Sequence, residues 1–227
     1  MVRTFWLIFL LSPSLWVVGQ SSSEILAELY RESGWTEVAF THGDMRVFNK
    51  EVENFGIPAI MVKKTAPVSS GAMASAIEDV ANYTRFLEDV YLERSDLLKR
   101  DPKVIEGYHL LDLPLISDRH YVYRMSRKGD SSDGSIRYEW TLVPRNSENR
   151  SFLDSMDAVH GTPVYVGENV GGWEIQRLPE GGIEVSYRLL IDPAGRVPDF
   201  LMARANRVTA PRMVRGMIEE AIRREKK

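Results

Sequence analysis

The sequence predicts an α+β fold in which one curved antiparallel sheet grips a helix. Three observations lead there. Strand-like runs bounded by turn residues succeed one another through the middle of the chain, helical periodicity brackets and once interrupts them, and several runs alternate apolar with polar side chains. No repeat, low-complexity tract or linker divides the chain, so residues 20–227 are expected to form one domain.

The elements follow in order. EILAELYRES (24–33) spaces Ile25, Leu26 and Leu29 as a short helix stopped by Gly34. MRVFNKEV (45–52), after the His42-Gly43-Asp44 turn, and PAIMVKKTAPV (58–68), after Gly56, read as strands. Across 70–87 the period lengthens, with Met73, Ile77, Val80 and Ala81 on one helical face. Strands are then expected around 88–99, 104–112, 119–127, 135–144, 163–177 and 183–192, with a polar hairpin connection over 129–134. In IRYEWTLV, Tyr138, Trp140 and Leu142 share one face; in IEVSYRLLI, Ile183, Val185, Tyr187, Leu189 and Ile191 do. Such alternation sets one side of each strand against apolar material. Helices are expected from Pro198 onward. In the last, Thr209 reads as the N-cap and Pro211 sits in the first turn, ahead of a stripe of Met213, Val214, Met217, Ile218, Ala221 and Ile222.

Composition narrows the function. The chain has 227 residues, 44% apolar and 27% charged, with net charge −3 and no cysteine. Thiolate catalysis, disulfides and cysteine zinc sites are excluded, and the acidic balance argues against nucleic acid. His42, His109, His120 and His160 lack metal-ligand spacing, and neither Gly-x-Ser-x-Gly nor a Gly-rich phosphate loop occurs. The first 19 residues form an apolar run behind Arg3, broken by Ser12-Pro13-Ser14. Thr4 to Gly19 would span about 24 Å as a helix, short of a bilayer's hydrocarbon core. A signal peptide cleaved near Gly19 is expected, giving an exported (periplasmic or secreted) protein. An uncleaved membrane anchor is the alternative.

Three motifs then stand in register: LPLISDRHYVYR (113–124), Gly171-Gly172-Trp173, and IDPAGRVPDFL (191–201). Together they resemble the START family, the steroidogenic acute regulatory-type lipid-transfer domains, from about Gly34 to the end. His120 stands where that family carries a second acid, and Phe200 where it carries a tryptophan. The resemblance implies a helix-grip fold: a long C-terminal helix held in the curved sheet around an internal hydrophobic tunnel. Tyr121, Tyr123 and Met125 would then point into the tunnel at alternate positions.

Other aromatic residues on presumed inner faces, Tyr108, Tyr138 and Trp140, join that candidate lining, since large amphipathic rings suit an apolar pocket. Met213 and Met217 belong with them as adaptable apolar contacts. Trp173 and Tyr187 read as core packing instead. Asp118 and Arg119 read as a local ion pair fixing the start of a strand; holding a ligand's polar head is the alternative, and Glu106 is a further candidate partner for Arg119.

The expected function is binding or transfer of a hydrophobic ligand, a lipid above all, by a monomer that needs no cofactor and is not an enzyme. A helix-grip enzyme of cyclase or hydrolase type is the alternative, and a perturbed titratable pair inside the tunnel would favour it. An interaction module with a filled-in cavity is the third reading, favoured by a cavity below roughly 300 Å³. The basic stretches 203–207 and 223–227 read as solvated helix faces, with transient contact to an anionic membrane surface as the sharper reading.

Overall fold

The computed structural model describes residues 20–38, 44–128, 135–198, 200, 202 and 208–226. The signal segment, the 129–134 connection, His42, and residues 203–207 lie outside them. The chain runs α1 (Ser22–Tyr30), β1 (Thr36–Glu37), β2 (Arg46–Lys50), β3 (Ala59–Ala66), α2 (Ser70–Glu78) and a 3₁₀ segment (Val80–Arg85). It continues through β4 (Leu92–Asp101), β5 (Val104–Leu111), β6 (Arg119–Lys128), β7 (Ile136–Val143), α3 (Arg150–His160), β8 (Val164–Tyr165), β9 (Glu168–Arg177), β10 (Ile183–Asp192) and α4 (Ala210–Glu225).

The described strands form one sheet in the order β1-β2-β3-β10-β9-β7-β6-β5-β4, antiparallel throughout except for β8, which pairs with β6 in parallel. Strand β10 closes the order by pairing with β3 on one side and β9 on the other. The curved inner face holds α2 and α4, and their shared core includes Met73, Ile77, Trp173, Tyr187, Val214 and Met217. Two smaller cores occupy the outer face. One lies under α1 around Ile25, Leu29 and Leu190, the other under α3 around Tyr108, Leu110 and Leu153.

Local chemistry accounts for most boundaries. Helix α1 starts two residues ahead of the expected 24 because Ser21 and Glu24 form a reciprocal capping box, and it ends at Tyr30, short of Gly34. Helix α2 stops at Glu78 and the chain tightens into the 3₁₀ segment, where one continuous helix over 70–87 was expected. The 163–177 run is split at Val166-Gly167 into β8 and β9. Helix α3 was not expected at all. Its buried residues are Leu153 and Met156, with Phe152 packed beside them, and Gly161 ends it at φ +72°, in the left-handed region. Thr209 stands at the N-cap position as expected, but its backbone is helical (φ −69°, ψ −45°) and its hydroxyl makes no cap bond. Pro211 does fall in the first turn of α4. Gly216 sits where a Cβ would lie 3.0 Å from the Phe86 carbonyl oxygen, so α4 rests directly on the end of the 3₁₀ segment.

Candidate functional site: a cavity with a neutral polar end

Alternation along β5 and β6 sorts their side chains onto two faces. His109 lies opposite Tyr121 and Gly107 opposite Tyr123 on the inner face, whereas Tyr108 and His120 point outward. Two glycines make the inner wall possible. A Cβ at Gly107 would sit 2.7 Å from the Tyr123 ring, and one at Gly171 would overlap the Trp140 indole, 2.8 Å from its Cε2. Each glycine thus leaves the space in which a neighbouring strand's ring lies flat across the sheet.

Two adjoining compartments lie between this wall and α4. The inner, about 60 Å³, is lined by Tyr83, His109, Tyr121, Tyr123, Met125, Trp140, Asn169, Trp173 and Met217 among others. The outer, about 140 Å³, has half-buried walls such as Leu113, Val197 and Met202. Tyr121, Tyr187, Leu189 and Met213 line both, so the two adjoin across a shared wall as a two-part passage. Each volume is below the roughly 300 Å³ of an ordinary ligand pocket, because aromatic rings fill much of the interior.

The inner end is polar without being charged. Trp140 Nε1 donates to Asn169 Oδ1 at 2.9 Å. Tyr121 OH and His109 Nδ1 lie 3.0 Å apart, and Tyr123 OH is 3.4 Å from His109 Nε2. Burial pushes the His109 pKa down to about 3, which keeps the imidazole neutral. Burial also raises the phenols of Tyr83, Tyr121, Tyr123 and Tyr187 above their ordinary range. The Tyr83 hydroxyl is spent on the Ile77 carbonyl. Among the described residues lining this compartment there is no Lys, Arg, Asp or Glu.

Arg119 occupies the outer compartment, and its pairing differs from the sequence reading. It is 3% exposed, and its guanidinium donates to the carbonyls of Pro193 (2.8 Å), Ala194 (3.2 Å) and Ser117. Among the described residues it makes no direct ion pair with Asp118. Burial lowers its pKa, and the Asp118 charge only partly offsets this. Glu106 faces the other side of the sheet and pairs with Arg124 (2.5 Å). Arg119 is therefore a clamp on the turn leaving β10, where Ala194 and Gly195 adopt φ +56° and +68°.

Tyr121, Tyr123, Met125, Trp140, Met213 and Met217 line the passage as the sequence suggested. Tyr138 shares the inner face but lies away from it, with its hydroxyl donating to Glu78 Oε1 at 2.6 Å. Tyr108 is a correction: it is on the outer face, fully buried under α3, 3.2 Å from His120 Nδ1 and packed edge-on against Phe152. Trp173 and Tyr187, read as core, pack at 4.5 Å with their rings tilted by 45° and face the cavity. Tyr83 and Asn169 were missed; Asn169 could have been placed by alternation from Trp173 along β9. Among the described residues no three His, Asp or Glu side chains gather as metal ligands, and no helix is long and apolar enough to cross a membrane.

This curved sheet gripping a C-terminal helix is the fold of StAR-related lipid-transfer (START) domains. The chain is similar to a STAR-related lipid transfer protein from Xanthomonas axonopodis (TM-score 0.68, 18% identity, covering 83% of this chain and 99% of that one). It is also similar to human STARD10 (TM-score 0.68, 14% identity, 90% and 79% covered). Human StAR-related lipid transfer protein 5 aligns with TM-score 0.67 at 13% identity, over 90% of this chain and 94% of that one. No protein-family model and no curated protein matches the sequence.

Proposed function

We propose that the protein binds a hydrophobic ligand in the passage beneath α4 and carries or presents it, without transforming it. The observation that supports this is the adjacency of the two compartments, which share Tyr121, Tyr187, Leu189 and Met213 as walls. Two of the similar structures, the Xanthomonas axonopodis protein and human StAR-related lipid transfer protein 5, are described as lipid transfer proteins and support the same reading. The electrostatics cuts both ways: the perturbed His109–Tyr121 pair inside the cavity is the feature that favours a helix-grip enzyme, but burial moves the two groups away from neutrality in opposite directions, and an acid–base catalyst needs a group titrating near its working pH. The small volume selects a compact ligand. It also supports the second reading, an interaction module whose cavity has filled in.

Export remains part of the proposal, resting on the sequence of residues 1–19. Intact mass of the exported protein should lack about the first 19 residues. A full-length mass in the membrane pellet would mean an anchor instead.

The cavity itself is tested at the helix. Met217→Trp should fill the inner compartment and Met213→Trp the junction. Binding of the neutral fluorophore N-phenyl-1-naphthylamine should fall several-fold in each while circular dichroism stays native. Met217 is fully buried, so overpacking can unfold that variant; half-buried Met213 then decides. Undiminished binding in a folded Met213→Trp protein would place the ligand elsewhere.

A further inference from the structure

We infer that the ligand is a neutral molecule presenting an acceptor oxygen, a carbonyl above all, to the inner end of the cavity. The inference rests on the proposed function and adds the chemical class of what is bound.

The hydrogen-bond directions are set by Trp140. An indole N–H can only donate, so Asn169 Oδ1, 2.9 Å away, is the acceptor. Asn169 lies near enough to the Tyr121 hydroxyl to pull its pKa down against the larger effect of burial, but no Asn169 atom accepts the Tyr121 proton within hydrogen-bond distance. Tyr121, His109 and Tyr123 continue the chain at 3.0 and 3.4 Å. A neutral imidazole has one donor and one acceptor. If Nδ1 carries the proton it donates to Tyr121, Tyr123 donates to Nε2, and the Tyr121 proton is unspent. If Nε2 carries it, Tyr121 donates to Nδ1, Nε2 donates to Tyr123, and the Tyr123 proton is unspent. Either tautomer leaves one phenolic O–H without an acceptor.

Tyr187 adds a second. It is 7% exposed, lines both compartments, and its hydroxyl has no hydrogen-bond partner among the described residues. It is within electrostatic range of the Tyr121 hydroxyl. Two unspent donors facing one small cavity match an oxygen with two lone pairs. A hydrocarbon would leave both unsatisfied, and a carboxylate would be buried with no cation in the inner compartment.

Three probes share one ring system: 2-acetylnaphthalene, 2-ethylnaphthalene and 2-naphthoate. Each is titrated calorimetrically into the wild type and into a Tyr121→Phe/Tyr123→Phe double variant. Ketone affinity should fall about fivefold to tenfold in the double variant, the loss of roughly one hydrogen bond, while ethyl-probe affinity stays unchanged. Naphthoate should bind weakest throughout. The bound ketone's infrared carbonyl band should also lie at lower wavenumber in the wild type than in hexane, a readout independent of whether the double variant folds. Parallel losses for ketone and ethyl probes, or an unshifted carbonyl band, would overturn the inference with the cavity reading intact. Failure of all three probes to bind, or binding indifferent to a folded Met213→Trp variant, would overturn the cavity reading itself.

Discussion

Gly171→Ala is the sharpest probe of the inner wall. Gly171 of β9 lies opposite Trp140 of β7 and Leu189 of β10. A Cβ there would overlap the Trp140 six-membered ring and the Arg188 backbone carbonyl, and would stand 2.8 Å from Trp140 Cε2. Neither obstacle is the flexible end of a side chain. The indole is wedged between Tyr187, whose ring is stacked 5.7 Å away, and its bond to Asn169. Overpacking a tight core costs about 1–3 kcal/mol, and here both a rigid ring and a strand must shift, so about 3 kcal/mol applies. Breaking the Trp140–Asn169 bond adds about 1 kcal/mol. For a chain of this length each kcal/mol moves Tm by about 2–4 °C, so a fall of roughly 10 °C is expected by scanning calorimetry. Gly56→Ala is the control: nothing lies within 4 Å of its Cβ position, and Tm should barely change. A Gly171→Ala protein melting within about 2 °C of wild type would refute the close approach of ring and glycine.

Two further outcomes follow from buried polar groups. Arg119→Met should destabilise by about 1–3 kcal/mol for each buried carbonyl it orphans, read by urea unfolding; unchanged stability with lost probe binding would make Arg119 a ligand contact instead. His109 has its folded pKa near 3 against an ordinary 6.5, so its contribution is complete above about pH 6.5 and is lost as pH falls toward 3, the unfolded chain taking the proton the folded one refuses. Between about pH 7.5 and pH 5 that loss is about 2 kcal/mol, and His109→Gln should flatten the pH dependence of unfolding by that amount; an equally steep dependence would mean that His109 is not buried neutral.

The sheet and the final helix were legible because alternation and the i, i+3/i+4 stripe are strong periodic signals. What alternation cannot say is which face is the inside. On β5 both faces are apolar and buried, since α3 covers the outer one, and so Tyr108 reads no differently from His109. Helix α3 was legible but missed: Phe152, Leu153, Met156 and Val159 recur at i, i+1, i+4 and i+7 within an otherwise polar segment. Arg119 was paired with its sequence neighbour, yet its partners include carbonyls 74 and 75 residues downstream. A backbone acceptor leaves no mark in the side-chain pattern.

The neutrality of the inner compartment is then a matter of register more than of composition. Strands β5 and β6 carry His109, Tyr121 and Tyr123 on one face, and Tyr108, His120, Glu106 and Arg124 on the other. A one-residue slip of both would exchange the faces, placing the Glu106–Arg124 ion pair in the cavity. Where it stands, that pair lies partly exposed, with the Arg124 side chain 50% accessible, and contributes at most about 1 kcal/mol. Buried, it would cost several kcal/mol of desolvation. Two local features hold the correct pairing as well: Tyr123 lies over Gly107, which a side chain on a slipped neighbour would block, and Arg119 anchors the start of β6 to the turn after β10. The surface charges of these strands thus act against the wrong register, and by excluding it they keep the inner compartment free of charge.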